Sequence, residues 1–316
     1  MKNISNSIIV SLQDRSRRLP VQAGRPDAVP DQTGESRKGM DIRITDDFNL
    51  GKIAESGQCF RWKKTDGATW RIIAGDRCLH ASVLGGGRYR FDCTENAFQE
   101  FWARYFDLDE NYQKIRERVS PAGDPFLRAA CEQGKGIRIL RQDPWETLIT
   151  FIISQNRNIP AIRRSVELLS SMCGSRLYDS MNTEYHAFPT PEQLSSLTVT
   201  QLTECRLGYR WKYVHAAAET IQQGKFCLEE IRHRNCEETI RELTSLYGIG
   251  NKVASCIALF GFHQLNAFPR DVWINRVLEN EYPDGYPFEQ YSPYNGVYQQ
   301  YMFAYYRSSG RQLTGV

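Results

Sequence analysis

Two residues nineteen positions apart, Lys252 and Asp271, carry the most informative chemistry in this sequence. A neutral lysine amine attacks carbon and forms a Schiff base, and a fixed carboxylate stabilises a cation that develops beside it. Apolar residues Ile240, Leu243, Leu246 and Tyr247 precede Gly248-Ile249-Gly250, and Val253, Ile257 and Phe260 follow Lys252. Both sets recur at helical spacing, which predicts two helices joined by a two-glycine hairpin. The second helix begins with unpaired N–H groups and the positive end of its dipole, a place suited to a phosphate. Gly248, Gly250 and Val253 are therefore candidates for holding a DNA backbone without reading its sequence. A helix-capping glycine followed by another helix accounts for the same letters. Lys252 is badly sited for stability, because the dipole disfavours a cation there by ~0.3–1 kcal/mol. The same field favours the neutral amine, as partial burial would. Asp271 follows Phe268-Pro269-Arg270 and reads as the N-cap of a helix through Val272 and Val277. Returned toward Lys252, it is also placed to stabilise the cationic sugar formed when a glycosidic bond breaks.

The elements that must position these residues fall into two kinds. From about residue 57 to 95, the runs Cys59 to Lys63, Thr69 to Ala74, Cys78 to Val83 and Arg88 to Cys93 are rich in aromatic and β-branched residues. Asp66-Gly67, Gly75-Asp76 and Gly85-Gly86-Gly87 punctuate them, which predicts an antiparallel sheet. After Glu95 the period becomes helical: Trp145, Leu148, Ile149, Ile152 and Ile153 mark a helix with one buried face. Asp143, Pro144 and Glu146 signal its start as cap, first helical position and capping-box partner. Thr190-Pro191 and Ser292-Pro293 repeat that grammar. From roughly 120 onward about nine helices and no strand are expected. The fold class is thus α+β, with a tail over 1–39, a small antiparallel β domain over 40–120 and an all-α domain over 121–316.

Composition narrows the function classes. No apolar run approaches the roughly 18 residues of a membrane span, and no secretory signal is visible, so an intracellular protein with no membrane partner is expected. The nine cysteines never form a Cys-x-x-Cys pair, which predicts that most are reduced, buried thiols. Within residues 1–39, seven basic residues against four acidic ones account for the whole net charge of +3. The remainder is formally neutral, so bulk charge lends nucleic-acid binding no support. The tail itself has the composition of a disordered segment.

The stretch from Glu238 to Asp271 resembles the helix-hairpin-helix DNA glycosylase superfamily. With a β domain ahead of the helical one, residues 40–310 resemble its 8-oxoguanine DNA glycosylase/lyase family. The resemblance implies excision of 8-oxoguanine from double-stranded DNA, with Lys252 as nucleophile and Asp271 as its partner. Superfamily members with an iron–sulfur cluster hold it by four cysteines after the aspartate; none follows Cys256 here, so no metal or organic cofactor is expected. A monomer is expected. Two rivals stay open: an alkylbase glycosylase of the same fold, and a non-catalytic DNA-binding helix-hairpin-helix protein.

The resemblance also implies two groups of contacts. Within Ser56 to Trp62, the Gly57 carbonyl is expected to meet the N7 hydrogen that distinguishes 8-oxoguanine from guanine, although a glycine there also serves as a turn. Cys256 and Phe303 are expected on opposite faces of the flipped base, with Gln299 at its pairing edge; by themselves Cys256 and Phe303 also read as core. Asn156 is expected to fill the hole left by the base, while Tyr209 wedges beside the unpaired cytosine and Arg210 bonds its edge. The chain departs from the family twice. A second cytosine-reading arginine would fall at Ala161, and a histidine that contacts phosphate is Trp273.

Overall fold

A computed structural model describes residues 39–119 and 123–308, so the expectation for the tail lies, through residue 38, outside the described residues. Five strands form one antiparallel sheet: β1 Met40–Arg43, β2 Trp62–Lys64, β3 Thr69–Ala74, β4 Arg77–Gly85 and β5 Arg88–Phe91, in the order β1-β5-β4-β3-β2. The glycine turns lie where the punctuation put them, with Gly75, Gly85, Gly86 and Gly87 all at positive φ. Asp66 accepts from the Ala68 and Thr69 N–H groups in the first turn. β1 was not among the expected strands. It is only four residues long and pairs with β5 through a register that sequence spacing does not display.

One face of the sheet is buried under the helical stretch 95–105, with Trp62, Ile72, Leu79, Phe91, Phe98 and Phe106 at its centre. The second core belongs to the helices and takes in Phe60, Tyr112, Ile115 and Val119. Its central helix, Pro144–Ser154, begins as expected, with Asp143 accepting from the Glu146 N–H at 2.8 Å and Pro144 in the first turn. Two details differ. Every residue from Thr147 to Ile153 is buried, because neighbours surround this helix on all sides; Phe151 stacks on Phe260 at 5.3 Å. The Glu146 side chain does not return to its cap but accepts from the Gly75 N–H at 2.8 Å, tying the helix to the β3–β4 turn.

Two further expectations are corrected. A two-stranded ribbon, Arg176–Tyr178 and Glu184–His186, lies within the helical part; strands of three residues leave no periodicity to read. Thr190 caps Pro191–Ser195 in a full capping box, but the last described helix starts at Asn295, beyond Ser292-Pro293. One-turn helices such as Leu228–Ile231 and Phe288–Tyr291 raise the number of helices above the nine expected. No helix among the described residues is long and apolar enough to cross a membrane.

Candidate active site

The hairpin forms, but its first helix ends at Leu243, so Leu246 and Tyr247 lie in the turn rather than on that helix's apolar face, and Tyr247 is exposed. Helix Cys236–Leu243 starts from a capping box between Asn235 and Glu238, and helix Asn251–Phe260 starts at Gly250. Between them Gly248 has φ +82, and a Cβ built on it would lie 2.3 Å from the Tyr213 ring. Here glycine is required twice over, by conformation and by space. At Gly250 the reason differs: nothing lies within 4 Å of an added Cβ, so its surroundings are open to another molecule. Ile249 and Val253 turn their side chains into the core; the Ile249 N–H donates to the Leu246 carbonyl at 3.1 Å, and Val253 lies in the first turn of the helix, where N–H groups have no intrahelical acceptor.

Lys252 occupies the second position of this helix and is exposed, so burial does not act on its amine here. Any exclusion of water from its amine therefore waits for a bound partner. One turn on, Cys256 is buried at 4% exposure on the same helix face. Burial pushes its thiol up to about 11; the hydrogen-bonding Lys252 amine pulls the other way, and Asp271 adds to the rise. All three groups thus share one electrostatic neighbourhood. Asp271 is the N-cap of helix Val272–Glu281, its Oδ1 accepting from the Ile274 N–H at 2.8 Å. The cap fixes the orientation of the carboxylate at the start of that helix.

A second group of candidates joins segments far apart in the sequence. Helix Leu50–Glu55 ends at Ser56, and Gly57 follows with φ +83. A Cβ on Gly57 would lie 4.0 Å from Cε1 of Phe303, which brings together two residues far apart in sequence. Gln58 anchors the segment from beneath: its amide donates to the Arg138 carbonyl and accepts from the Leu140 N–H, each at 2.8 Å. The terminal helix Asn295–Ser308 supplies Phe303 and the buried Gln299, whose Oε1 accepts from Gln300 at 2.8 Å. Gly134 lets that helix approach closely, since a Cβ there would lie 2.3 Å from the Tyr301 ring. Trp273 packs its ring on Tyr306 of the same helix at 6.1 Å.

The remaining candidates gather at the end of the central helix. Asn156 is exposed with φ +50, a left-handed turn that asparagine tolerates. Tyr209 is 52% exposed, and the Arg210 guanidinium lies 4.4 Å from its ring centre. Arg210 is buried rather than free. It donates to the Gln155 carbonyl through Nε at 2.7 Å and again through a second nitrogen, and to the Asn156 carbonyl at 3.2 Å. Arg163, near Ala161 in sequence, instead donates to the Ala54 carbonyl at 3.1 Å and so points to the β domain.

Sequence reasoning missed three residues here. Gln155 donates to the Gly248 carbonyl at 3.1 Å and joins the Asn156 turn to the hairpin. Tyr213 packs on Gly248. Arg157 donates to Ser165 at 2.8 Å within electrostatic reach of Arg210. A polar glutamine ending an apolar helix was the one available signal; Tyr213 depends on contact with a distant segment, and Arg157 on a bond to Ser165 eight positions on that no helical spacing displays.

Comparison with known proteins agrees with this geometry. Residues 41–148 match the 8-oxoguanine DNA glycosylase N-terminal domain, and residues 149–283 match the HhH-GPD superfamily of base excision DNA repair proteins. The N-glycosylase/DNA lyase of Saccharomyces cerevisiae is 36% identical over 262 residues, 74% of this chain and 68% of that protein. The N-glycosylase/DNA lyase OGG1 of Arabidopsis thaliana is 31% identical over 257 residues, 77% of this chain and 69% of that protein. The 8-oxoguanine glycosylase/lyase of Clostridium acetobutylicum, solved with double-stranded DNA containing cytosine opposite 8-oxoguanine, superposes with TM-score 0.81 at 33% identity. That match covers 87% of this chain and 97% of the other. With both halves of the fold and the glycosylase hairpin present, this chain belongs to the 8-oxoguanine DNA glycosylase/lyase family.

Proposed function

We propose that the chain removes 8-oxoguanine from double-stranded DNA and then nicks the strand, with Lys252 as the nucleophile for both steps. The observation that carries this reading is the shared neighbourhood of exposed Lys252 at the start of the hairpin's second helix, buried Cys256 one turn on, and Asp271 at the cap of the next long helix. Bound DNA excludes water from the exposed amine, and the helix dipole favours its neutral form. The amine attacks the sugar carbon and the base leaves with the bonding electrons. The amine then loses a proton to the departing base, and opening of the sugar ring gives a Schiff base; loss of a C2′ proton next breaks the C3′–O bond, the 3′ phosphate leaves with its electrons, and the strand is nicked. Asp271 stabilises the positive charge that develops on the sugar during attack. The Gly57 carbonyl accepts the N7 hydrogen of the flipped base, between Phe303 and Cys256, with Gln299 at its pairing edge. Asn156 fills the vacated stack beside Tyr209. Arg210 braces the Asn156 turn and reads cytosine only when a donor is released from that turn. The chain acts as a monomer in the compartment that holds its DNA.

Single-turnover release measured on duplexes with 8-oxoguanine, 3-methyladenine or no lesion tests the reading. Release of 8-oxoguanine with strand nicking is expected. Release of the methylated base alone, or binding without release, overturns it.

A further inference from the structure

Three segments assigned to DNA are bonded to one another before any DNA arrives. Arg210 donates to the Gln155 and Asn156 carbonyls, Gln155 donates to the Gly248 carbonyl, and the Tyr213 ring occupies the space beside Gly248. A chain of rings runs through the same body. Tyr209 meets Tyr213 edge-on at 5.9 Å, and Tyr213 meets Tyr247 edge-on at 4.9 Å. The ends of the chain are in solvent, with Tyr209 52% and Tyr247 62% exposed. Single exposed aromatics are common on protein surfaces and need no explanation. Tyr247 differs because a partner ring holds it and because it immediately precedes Gly248, beside the open space around Gly250. A ring held this way loses little freedom on contact, and its apolar body with a polar tip suits a sugar or base edge.

We propose that Tyr247 is a further DNA-contacting residue, which extends the surface begun at Tyr209 and packs its ring on the nucleotide next to the hairpin-bound phosphate. The proposal rests on the glycosylase reading above. Its contact is apolar stacking, so it differs from a phosphate contact in one measurable respect. Loss of a phosphate contact lowers the dependence of binding on salt, while loss of stacking weakens binding and leaves that dependence intact.

The test uses the full chain and a duplex with a tetrahydrofuran abasic analogue opposite cytosine, which forms no Schiff base. Affinity is measured across a salt series for the wild type, Tyr247→Ala and Tyr247→Phe, with wild-type release of 8-oxoguanine measured in parallel. Tyr247→Ala is expected to bind about tenfold more weakly with an unchanged salt slope, and Tyr247→Phe within about twofold of wild type. Wild-type affinity in Tyr247→Ala overturns the proposal, as does a reduced salt slope or an equal loss in Tyr247→Phe. A wild type that releases no 8-oxoguanine overturns the functional reading instead, and the two failures are thereby distinct.

Discussion

Asparagine caps a helix about as well as aspartate, so Asp271→Asn keeps an acceptor for the Ile274 N–H while removing the charge. Excision by this variant is expected to fall by about 100-fold or more with lesion binding and melting temperature nearly unchanged, because the charge contact strengthens in the transition state. Equal losses of binding and rate in single-turnover assays would return Asp271 to a purely structural role. The opposite base gives a second residue-level prediction. Ala161 contributes no donor, Arg163 is engaged at Ala54, and Arg210 is committed to the Asn156 turn. Preference for cytosine over adenine opposite 8-oxoguanine should therefore be weaker than in relatives with two arginines. Ala161→Arg should sharpen it by up to the ~1–3 kcal/mol of a bidentate contact. Excision rates opposite all four bases decide this, and an unchanged ratio in Ala161→Arg would show that the site is misplaced. Lys252 stood out in the sequence because a cation in the first turn of a helix opposes the dipole, whereas Asp271 and Gly57 read as an ordinary cap and turn and were singled out by the family resemblance. The bracing by Arg210 was not, since its acceptors are backbone carbonyls that only the fold brings near.

At the scale of elements, the hairpin and the ribbon each carry a testable constraint. Gly248→Ala places a Cβ in the Tyr213 ring at positive φ, so it should destabilise the chain by at least the ~1–2 kcal/mol of a left-handed non-glycine residue. Chemical denaturation measures the loss. The ribbon is docked on the sheet by Asp179, whose carboxylate pairs with Arg71 at 2.9 Å and His80 at 3.0 Å. Burial works to raise this carboxyl, but the Thr183 and Met181 N–H groups, His80 and Arg71 outweigh it and hold it below its usual value. Its stabilisation is fully present above the unfolded value near 3.8 and is lost as pH falls through the lowered folded value. Asp179→Asn should therefore cost ~3 kcal/mol at neutral pH, as breaking a buried pair does, with a smaller difference in acid. A pH-independent difference would contradict the assignment. The longer strands were legible from their turns and the long helices from their caps. β1 and the ribbon were not, because strands of three or four residues acquire their character from the partner they pair with.

Across the whole molecule, the β domain serves the site through its seam with the helices. Gln58 fixes the segment behind Gly57 to Arg138 and Leu140, Arg61 donates to Glu167 at 2.9 Å, and Glu146 accepts from Gly75. A cavity of about 620 Å³ opens along this seam, lined by Arg61, Gly75, Tyr105, Glu146 and His263 and by none of the proposed catalytic residues. Burial outweighs the pull of Arg61 and pushes the Glu146 carboxyl up to about 7. The folded chain then holds a proton that the unfolded chain releases near 4.5, so stability falls as pH rises from there through about 7. Glu146→Gln keeps an acceptor for Gly75 and should raise the melting temperature at pH 8 more than at pH 5. Solvent in the cavity keeps the gain below ~3 kcal/mol. The two-part architecture was legible from the change of period after Glu95, whereas the seam was not, because its bonds join residues from 71 to 106 positions apart.

The central claim is that one amine, that of Lys252, both expels the base and holds the sugar. Borohydride reduction of the chain on a duplex containing 8-oxoguanine opposite cytosine tests it directly, because reduction converts a Schiff base into a stable covalent adduct. The wild type should yield an adduct whose modified peptide maps to Lys252, and Lys252→Gln should yield no adduct, no free 8-oxoguanine and no nicked strand. An adduct mapping to another residue, or full base release by Lys252→Gln, would contradict the account.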